Sequence, residues 1–579
     1  MGSVVDTLAE HDGGPPGPRG DSVWSILQRG IDEGPDRVAL VTMHQSPDHL
    51  AQLVGPGGAS PSGETLTWTY AQLRRGAARL GSVLDGHDIP PGSTVLAFLP
   101  SSAEWALTVW TAALKCYTLV TLNSEVVQPA RKEELRFHIE KLAPSVVSLE
   151  DEAGAKAVDG IRSTNDAPFL GICLGTLTEP RPKWTTMANI AQTPFTDSQS
   201  TANPAADDPD RITTIVFTSG TSTGSPKGCP WTVKNLLAGT ASSSRGRAGT
   251  PPAVGVIHSA NSRALATAMS ATLWHGGGVV VVPGPRFAPR TSLRAIEAHR
   301  AATVGVLPVH ARMMGRREAG HAPGAVASLK RVFLSGEVVT AWMLGETRRV
   351  FPGASVYPSH GMSEGLGLFG WPLGLPDPVP EFGGVISSGL VMPGTKVRIV
   401  GEDGRVVKRS ELGDLHVSSD SVIDGYFDGV SPDAFYEDER GRWYRTGDIG
   451  VLDGEGRIYI LGRSGDVIVR AGNKIVPALV EACIGKHLDI MAQVIGIPDP
   501  ASGDLPIAVV EELPEDATPA DVDEVVVRSL GPNYSLGGVI CLAQLGMATW
   551  PLTGSFKTSK ADLRRAAIEY MSGEAAFVG

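Results

Sequence analysis

The segment TIVFTSGTSTGSPKG, Thr214 to Gly228, has the composition of an anion cradle. A β-branched strand leads into eleven residues, Thr218 to Gly228, with three glycines, six Ser or Thr hydroxyls and one lysine, and a helix is expected to follow. Glycine lets backbone N–H groups approach an anion closely, and the hydroxyls and Lys227 add donors, so the loop suits a polyphosphate. It is not a Walker loop, because Lys227 stands between Pro226 and Gly228 and GxxxxGK followed by Ser or Thr is absent.

Four further segments come in order along the chain. They are HGMSE (His360 to Glu364), YRTGD (Tyr444 to Asp448), GRSGDVIVRAGNKIVPALVE from Gly462, and PLTGSFK (Pro551 to Lys557). Together with the glycine-rich loop they resemble the signature motifs of adenylate-forming enzymes, the superfamily of acyl-CoA and aryl-CoA ligases, luciferases and nonribosomal peptide adenylation domains. The joint match runs over about residues 24 to 570.

The resemblance implies a set of roles. Joining a carboxylate to the α-phosphate of ATP opposes two anions, so such a site must neutralise charge with Mg²⁺ and preorganised donors. Glu364 is the expected Mg²⁺ ligand, assisted by the hydroxyl of Thr218 or Thr221. Ser219, Gly220, Thr221, Ser222, Thr223, Gly224 and Lys227 with Thr218 would hold phosphates. Ser335, Gly336 and Glu337 would meet the adenine, alongside His360, Gly361, Met362 and Ser363. Asp448 resembles the acceptor of the ribose hydroxyls, and Arg463 the hinge arginine that reaches the ribose. Lys557 looks like the lysine that contacts both substrate carboxylate and phosphate during adenylation. His258 resembles a position beside the acyl pocket that screens the carboxylate. Ser259, Ala260, Pro308, Val309, Ser359 and Leu366 would line that pocket. Gly472 would let a pantetheine arm pass close to the backbone in the second half-reaction.

Three departures from the family pattern stand out. The phosphate loop is one residue longer than usual. Gly465, beside Asp466, occupies the usual hinge acid or lysine position and should loosen the pivot. Phe556 replaces the glycine that usually precedes the terminal lysine.

The elements that must position these residues are legible in the periodicity. Between Asp210 and Glu364, β-branched runs such as RITTIVF, GVVVVP, ATVGVLP, KRVFLSG and ASVYPS alternate with amphipathic stretches, a rhythm of βαβ units and a parallel sheet. The segment before it repeats the pattern. From about Gly401 shorter β-like runs take over, and after Arg463 a compact α+β stretch follows. The expected fold is α/β: a flexible N-terminal tail over 1–22, a large layered domain with mostly parallel sheets and a β-rich subdomain over 23–461, and a small mobile α+β domain over 462–579. Gly, Pro and Ser enrichment also marks 46–64 and 242–252 as surface insertions.

Composition bounds the function. The chain has 579 residues, is 42% hydrophobic and 19% charged, and carries a net charge of -12, the profile of a folded globular protein. That charge, with no long basic run, argues against nucleic acid and anionic membrane partners. Cys116, Cys173, Cys229, Cys483 and Cys541 are scattered and odd in number, so reduced thiols are expected. The N-terminus lacks a signal peptide pattern, no apolar run suffices for stable membrane insertion, and the C-terminus carries no targeting tripeptide, so a cytoplasmic location is expected.

The leading expectation is an acid:CoA ligase that uses ATP and Mg²⁺ and makes a thioester of a small-molecule carboxylic acid through acyl-AMP. The alternatives are an acyl-AMP ligase that delivers to a phosphopantetheine carrier protein or an amine, and a catalytically silent nucleotide-binding protein.

Overall fold

The computed structural model describes residues 7–55, 64–162, 168–196, 207–218, 226–244, 252–258, 260–320, 322–554 and 556–573. Two seven-stranded, mostly parallel sheets and one antiparallel sheet build the large body, and a five-stranded sheet forms the C-terminal part. The α/β expectation holds.

The first sheet runs in the order Gly228–Thr232, Ile212–Phe217, Thr118–Thr121, Thr94–Phe98, Val146–Leu149, Leu170–Cys173 and Trp184–Thr186, parallel except for the first pair. The second runs Ser355–Pro358, Arg331–Leu334, Thr303–Val306, Val254–Val256, Val279–Val282, Val38–Thr42 and Leu66–Thr69, parallel except for the last pair. Runs such as VVVV at 279–282 stay apolar because helices cover both faces of a parallel sheet. The helices start where capping chemistry allows. Thr69 and Gln72 form a reciprocal box at Tyr70–Asp85, Ser102 caps Ala103–Lys115, and Thr232 with Asn235 caps Val233–Ser243. Trp110 packs edge-on to both Trp24 and Trp274, at 5.7 and 5.8 Å, and joins three helices into one core.

Several expectations are corrected. The βα rhythm over 210–364 does not make one sheet, because Ile212–Phe217 and Gly228–Thr232 belong to the first sheet and the later strands up to Ser355–Pro358 to the second. The loop after Ile212–Phe217 does not enter a helix. It returns as the antiparallel strand Gly228–Thr232, with Phe217 opposite Gly228, and the helix follows that strand. The stretch taken as a flexible tail holds the strand Glu10–Asp12, paired with Lys396–Arg398 of the third sheet, beside a fully buried Ala9. Within 46–64, Ala51–Val54 forms a short helix whose Leu53 and Val54 enter the core.

The third sheet contains Thr395–Val400, Gly413–Ser419, Gly441–Leu452 and Arg457–Arg463 as antiparallel neighbours. Its last strand passes the expected boundary at 461 and ends at Arg463, which lies opposite Asp448. After the turn Ser464–Asp466, the C-terminal part contributes the hairpin Ile468–Arg470 and Asn473–Ile475, the helix Pro477–Leu488, the paired strands Ala492–Asp499 and Gly503–Val510, the helix Pro519–Leu530, the strand Gly538–Cys541 and the helix Lys560–Met571. All five cysteines are free thiols. Among the described residues, no helix is long and apolar enough to cross a membrane.

Candidate active site

Parallel strands send their successors out at one edge of the sheet, and ligands of open α/β folds gather there. In the second sheet Val254–Val256, Thr303–Val306, Arg331–Leu334 and Ser355–Pro358 are consecutive neighbours. Their C-terminal ends therefore bring His258, the Pro308–His310 turn, Ser335 to Glu337, and Ser359 with His360 to one rim. Ser335 N–H donates to Val306 O and Ser359 N–H to Leu334 O, which extends the ladder into both loops. Gly336 makes the turn at φ +102, in the left-handed region, with the Leu307 side chain where a Cβ would project.

Glu364 is buried one turn beyond that rim. Its backbone is fixed on two sides, for Ile423 N–H donates to Glu364 O at 2.9 Å and Trp231 Nε1 donates to Ser363 O at 2.7 Å. Asn235 holds the facing loop by donating to Asp420 O and Val422 O. Tyr426 donates its phenolic hydrogen to Glu364 Oε1 at 2.7 Å and lies 2.9 Å from the Tyr444 hydroxyl. Burial and the Glu364 carboxylate push both phenols far up, so both remain neutral donors. Burial beside Glu364 likewise raises the Cys229 thiol.

Asp448 is buried on the interior strand Gly441–Leu452 of the third sheet. Arg463 Nε lies 3.2 Å from its Oδ1, and Arg463 Nη1 donates to Thr446 O. The pairing with Asp448 raises the Arg463 pKa. The other oxygen, Oδ2, is buried with no hydrogen-bond partner among the described residues, and His360 Nε2, 3.7 Å away, is equally unpartnered. That distance exceeds a hydrogen bond, so an acceptor and an imidazole edge both await a partner. Burial holds His360 below its usual range against the pull of Asp448.

The C-terminal part closes over this rim. Thr558 N–H and Oγ1 donate to Glu337 Oε1 at 2.8 and 3.2 Å, and Arg263 Nη2 donates to Gly554 O at 2.8 Å. Lys557 lies between these ties, its Cε 3.9 Å from the Cβ position of Gly336. Lys557 is exposed as a residue, yet partial desolvation of its ammonium nitrogen and the charge of Arg463 lower its pKa, while Glu337 and Asp448 oppose the shift. Burial raises the Glu337 pKa against those two Thr558 bonds, so the residue expected at the adenine is the acceptor that docks the C-terminal loop. Phe556, at φ 60, rests 5.4 Å from the His310 ring.

The phosphate loop is described only at its ends. Thr218 N–H donates to Lys227 O, Lys227 N–H donates to Thr218 Oγ1, and the Lys227 ammonium donates to Ser431 Oγ above the Tyr426 ring. Ser219, Gly220, Thr221, Ser222, Thr223 and Gly224 lie outside the described residues, as does Ser259. Gly361 is exposed, and Met362 is packed in the core.

Pro308 and Val309 line a cavity of about 390 Å³ with Arg312, Trp342, Glu337, Met491 and Trp550. Leu366 is instead buried against Gly239 of the helix Val233–Ser243, Ala260 is exposed, and Ser359 is half-buried. Gly472 is not brought to the rim. It turns at φ +80 with open space where a Cβ would point, and Lys474 beside it pairs with Glu402. Tyr426, Arg263 and His310 escaped the sequence reading. Each acts across a long separation, and the only local hint is a histidine at the apolar strand-to-helix junction GVLPVHARMM.

The donors fit a nucleotide with its metal. Among the described residues no three His, Cys, Asp or Glu side chains gather into a metal cage. A Mg²⁺ ion here would share Glu364 with phosphate oxygens, its usual manner of binding. The orphaned Asp448 Oδ2 fits a hydroxyl donor of a ribose.

The sequence profile of the AMP-binding enzymes matches residues 27–427. An acyl–CoA ligase of Pestalotiopsis microspora is 33% identical over 592 aligned positions, covering 99% of this chain and 100% of that protein. The 4-coumarate–CoA ligase-like protein 9 of Oryza sativa subsp. japonica is 27% identical, covering 85% of this chain and 84% of its own. The fold superposes on ATP-bound MatB from Rhodopseudomonas palustris with a TM-score of 0.74 at 20% identity, covering 94% of this chain and 98% of that one.

Proposed function

The chain belongs to the AMP-binding enzymes, and from that premise we propose that it joins a carboxylic acid to CoA in two steps through an acyl adenylate. In the first, a carboxylate oxygen attacks the α-phosphorus of ATP and pyrophosphate leaves. In the second, the CoA thiol, giving up its proton, attacks the acyl carbonyl and AMP leaves.

The carrying observation is the Asp448 carboxylate, buried with Arg463 3.2 Å from Oδ1 and with Oδ2 unpartnered 3.7 Å from His360, in the same site as the Tyr426-anchored Glu364. The Lys557 ammonium stabilises charge between carboxylate and phosphate. Asp448 Oδ2 accepts from the ribose, with Arg463 holding Oδ1. Glu364, oriented by Tyr426, would hold the Mg²⁺ that accompanies ATP, which would supply charge neutralisation at the phosphates. Residues 464–466 act as the pivot of a small domain beginning there. Its rotation withdraws Lys557 and brings Gly472 to the site for the thiol step.

The test is pyrophosphate release with ATP and Mg²⁺ across aryl, short, medium and long-chain acids, with and without CoA, with products identified by mass spectrometry. An acid-dependent CoA thioester is expected. Acyl-AMP that accumulates without moving to CoA would redirect the acceptor to a carrier thiol or an amine, and ATP binding without turnover would reject the ligase.

A further inference from the structure

Beside Lys557, two buried histidines face each other with nothing to bind. His258 and His310 are 6% and 2% exposed, with ring centroids 5.2 Å apart. Phe287 stacks on His310 at 3.8 Å and stands 5.0 Å from His258, while Phe556 closes on His310 from the C-terminal side. Among the described residues none of the four ring nitrogens has a hydrogen-bond partner. The Gly305 backbone is the polar group that most favours protonated His258, without reaching bonding geometry.

Burial brings His258 to about 3 and His310 to about 4, so both rings are neutral near pH 7. A neutral imidazole carries one N–H donor and one lone pair. Two donors and two acceptors enclosed by phenylalanine rings are costly unless a ligand engages them. Their position indicates which ligand. His258 follows Val254–Val256 and His310 opens the helix Pro308–Gly315 after the adjacent strand, so both look onto the acid side of the rim, next to the lysine assigned to the reacting carboxylate.

We propose that His258 and His310 form a hydrogen-bonding wall that selects acids bearing a hydroxyl or carbonyl oxygen on the acyl group, with His310 the specificity residue. The proposal rests on the ligase reading above. A hydroxyl both donates and accepts, and so matches the pair, whereas a plain hydrocarbon leaves four polar atoms unserved. Because Phe556 covers His310 only while the Lys557 loop is docked, the selection is exerted at adenylation.

The test is ATP–pyrophosphate exchange by the full chain with matched acids: 4-hydroxycinnamate against cinnamate, 3-hydroxyoctanoate against octanoate, and 4-oxopentanoate against pentanoate. The oxygenated member of at least one pair should be favoured by about tenfold or more in kcat/KM. His310→Leu should collapse that ratio to below about threefold, mainly through KM, and His310→Gln, which keeps a donor and an acceptor, should retain part of it. Equal use of both members in every pair overturns the wall, as does an unchanged ratio in His310→Leu. Should the leucine variant not fold, the wild-type ratio and the glutamine variant still decide. Exchange with none of the six acids would reject the ligase reading for this panel, and the wall with it.

Discussion

Tyr426 holds Glu364 from 62 residues away in sequence, its phenol donating to Oε1 at 2.7 Å while its own oxygen lies 2.9 Å from the Tyr444 hydroxyl. A buried carboxylate so anchored keeps one oxygen in place and leaves the other for a cation. Tyr426→Phe should therefore cut kcat for pyrophosphate release by about tenfold and raise the Mg²⁺ concentration needed for half-maximal rate, as loss of a buried charged hydrogen bond and of ligand orientation would. A Mg²⁺ titration of both proteins checks this. An unchanged Mg²⁺ requirement would separate Tyr426 from the metal.

Lys557→Ala should lower adenylation by orders of magnitude and leave thioester formation from preformed acyl-AMP largely intact, measured in separate single-turnover assays. Equal loss in both steps would sink the assignment. The pH profile gives an independent check. Desolvation of the ammonium and the charge of Arg463 lower the Lys557 pKa, so the ammonium is lost at a lower pH than in a free lysine and adenylation should fall early on the alkaline side. Ionised Glu337 favours the ammonium, so Glu337→Gln should move that limb further toward neutral pH.

Gly472→Trp should do the reverse of Lys557→Ala. A Cβ at this position meets nothing within 4 Å, and the positive φ costs about 1 kcal/mol. Adenylation should survive while thioester formation fails, because the rotated loop would carry the indole into the thiol path. Unimpaired thioester yield would remove Gly472 from that path.

Stability should depend on pH through the histidines. Burial lowers His138, His258, His310 and His416 to about 4, 3, 4 and 4, from an ordinary value of 6.5. Their folded pKa lies below the unfolded one, so the unfolded chain binds the extra protons. Their stabilising contribution is complete above about pH 6.5 and is lost as pH falls toward the folded values. The melting temperature should drop by more than about 5 °C between pH 7.5 and 5.5, read by calorimetry. A flat profile would mean that these rings are solvated.

Most helices and strands were legible because their signals are local. Ala103–Lys115, Pro477–Leu488 and Lys560–Met571 fall where the apolar period places them. Strand partners were not legible, since Ile212–Phe217 and Thr303–Val306 carry the same β-branched texture yet join different sheets. The hairpin strand Gly228–Thr232 was missed because GCPWT holds Gly and Pro, residues that usually mark a loop. For the site, the chain motifs pointed to Glu364, Asp448, Arg463 and Lys557. Tyr426 and His310 act through contacts far apart in sequence and have no spacing signature of their own.

The strand Glu10–Asp12 bears on how the protein should be handled. Leu8 to Gly13 looks dispensable, yet its backbone supplies bonds to Thr395–Val400, whose Val397 and Ile399 are buried. An expression clone trimmed to begin after residue 12 would leave that strand's amides and carbonyls bare along one side, a template for a second molecule. N-terminal truncations that remove this strand should therefore yield aggregates.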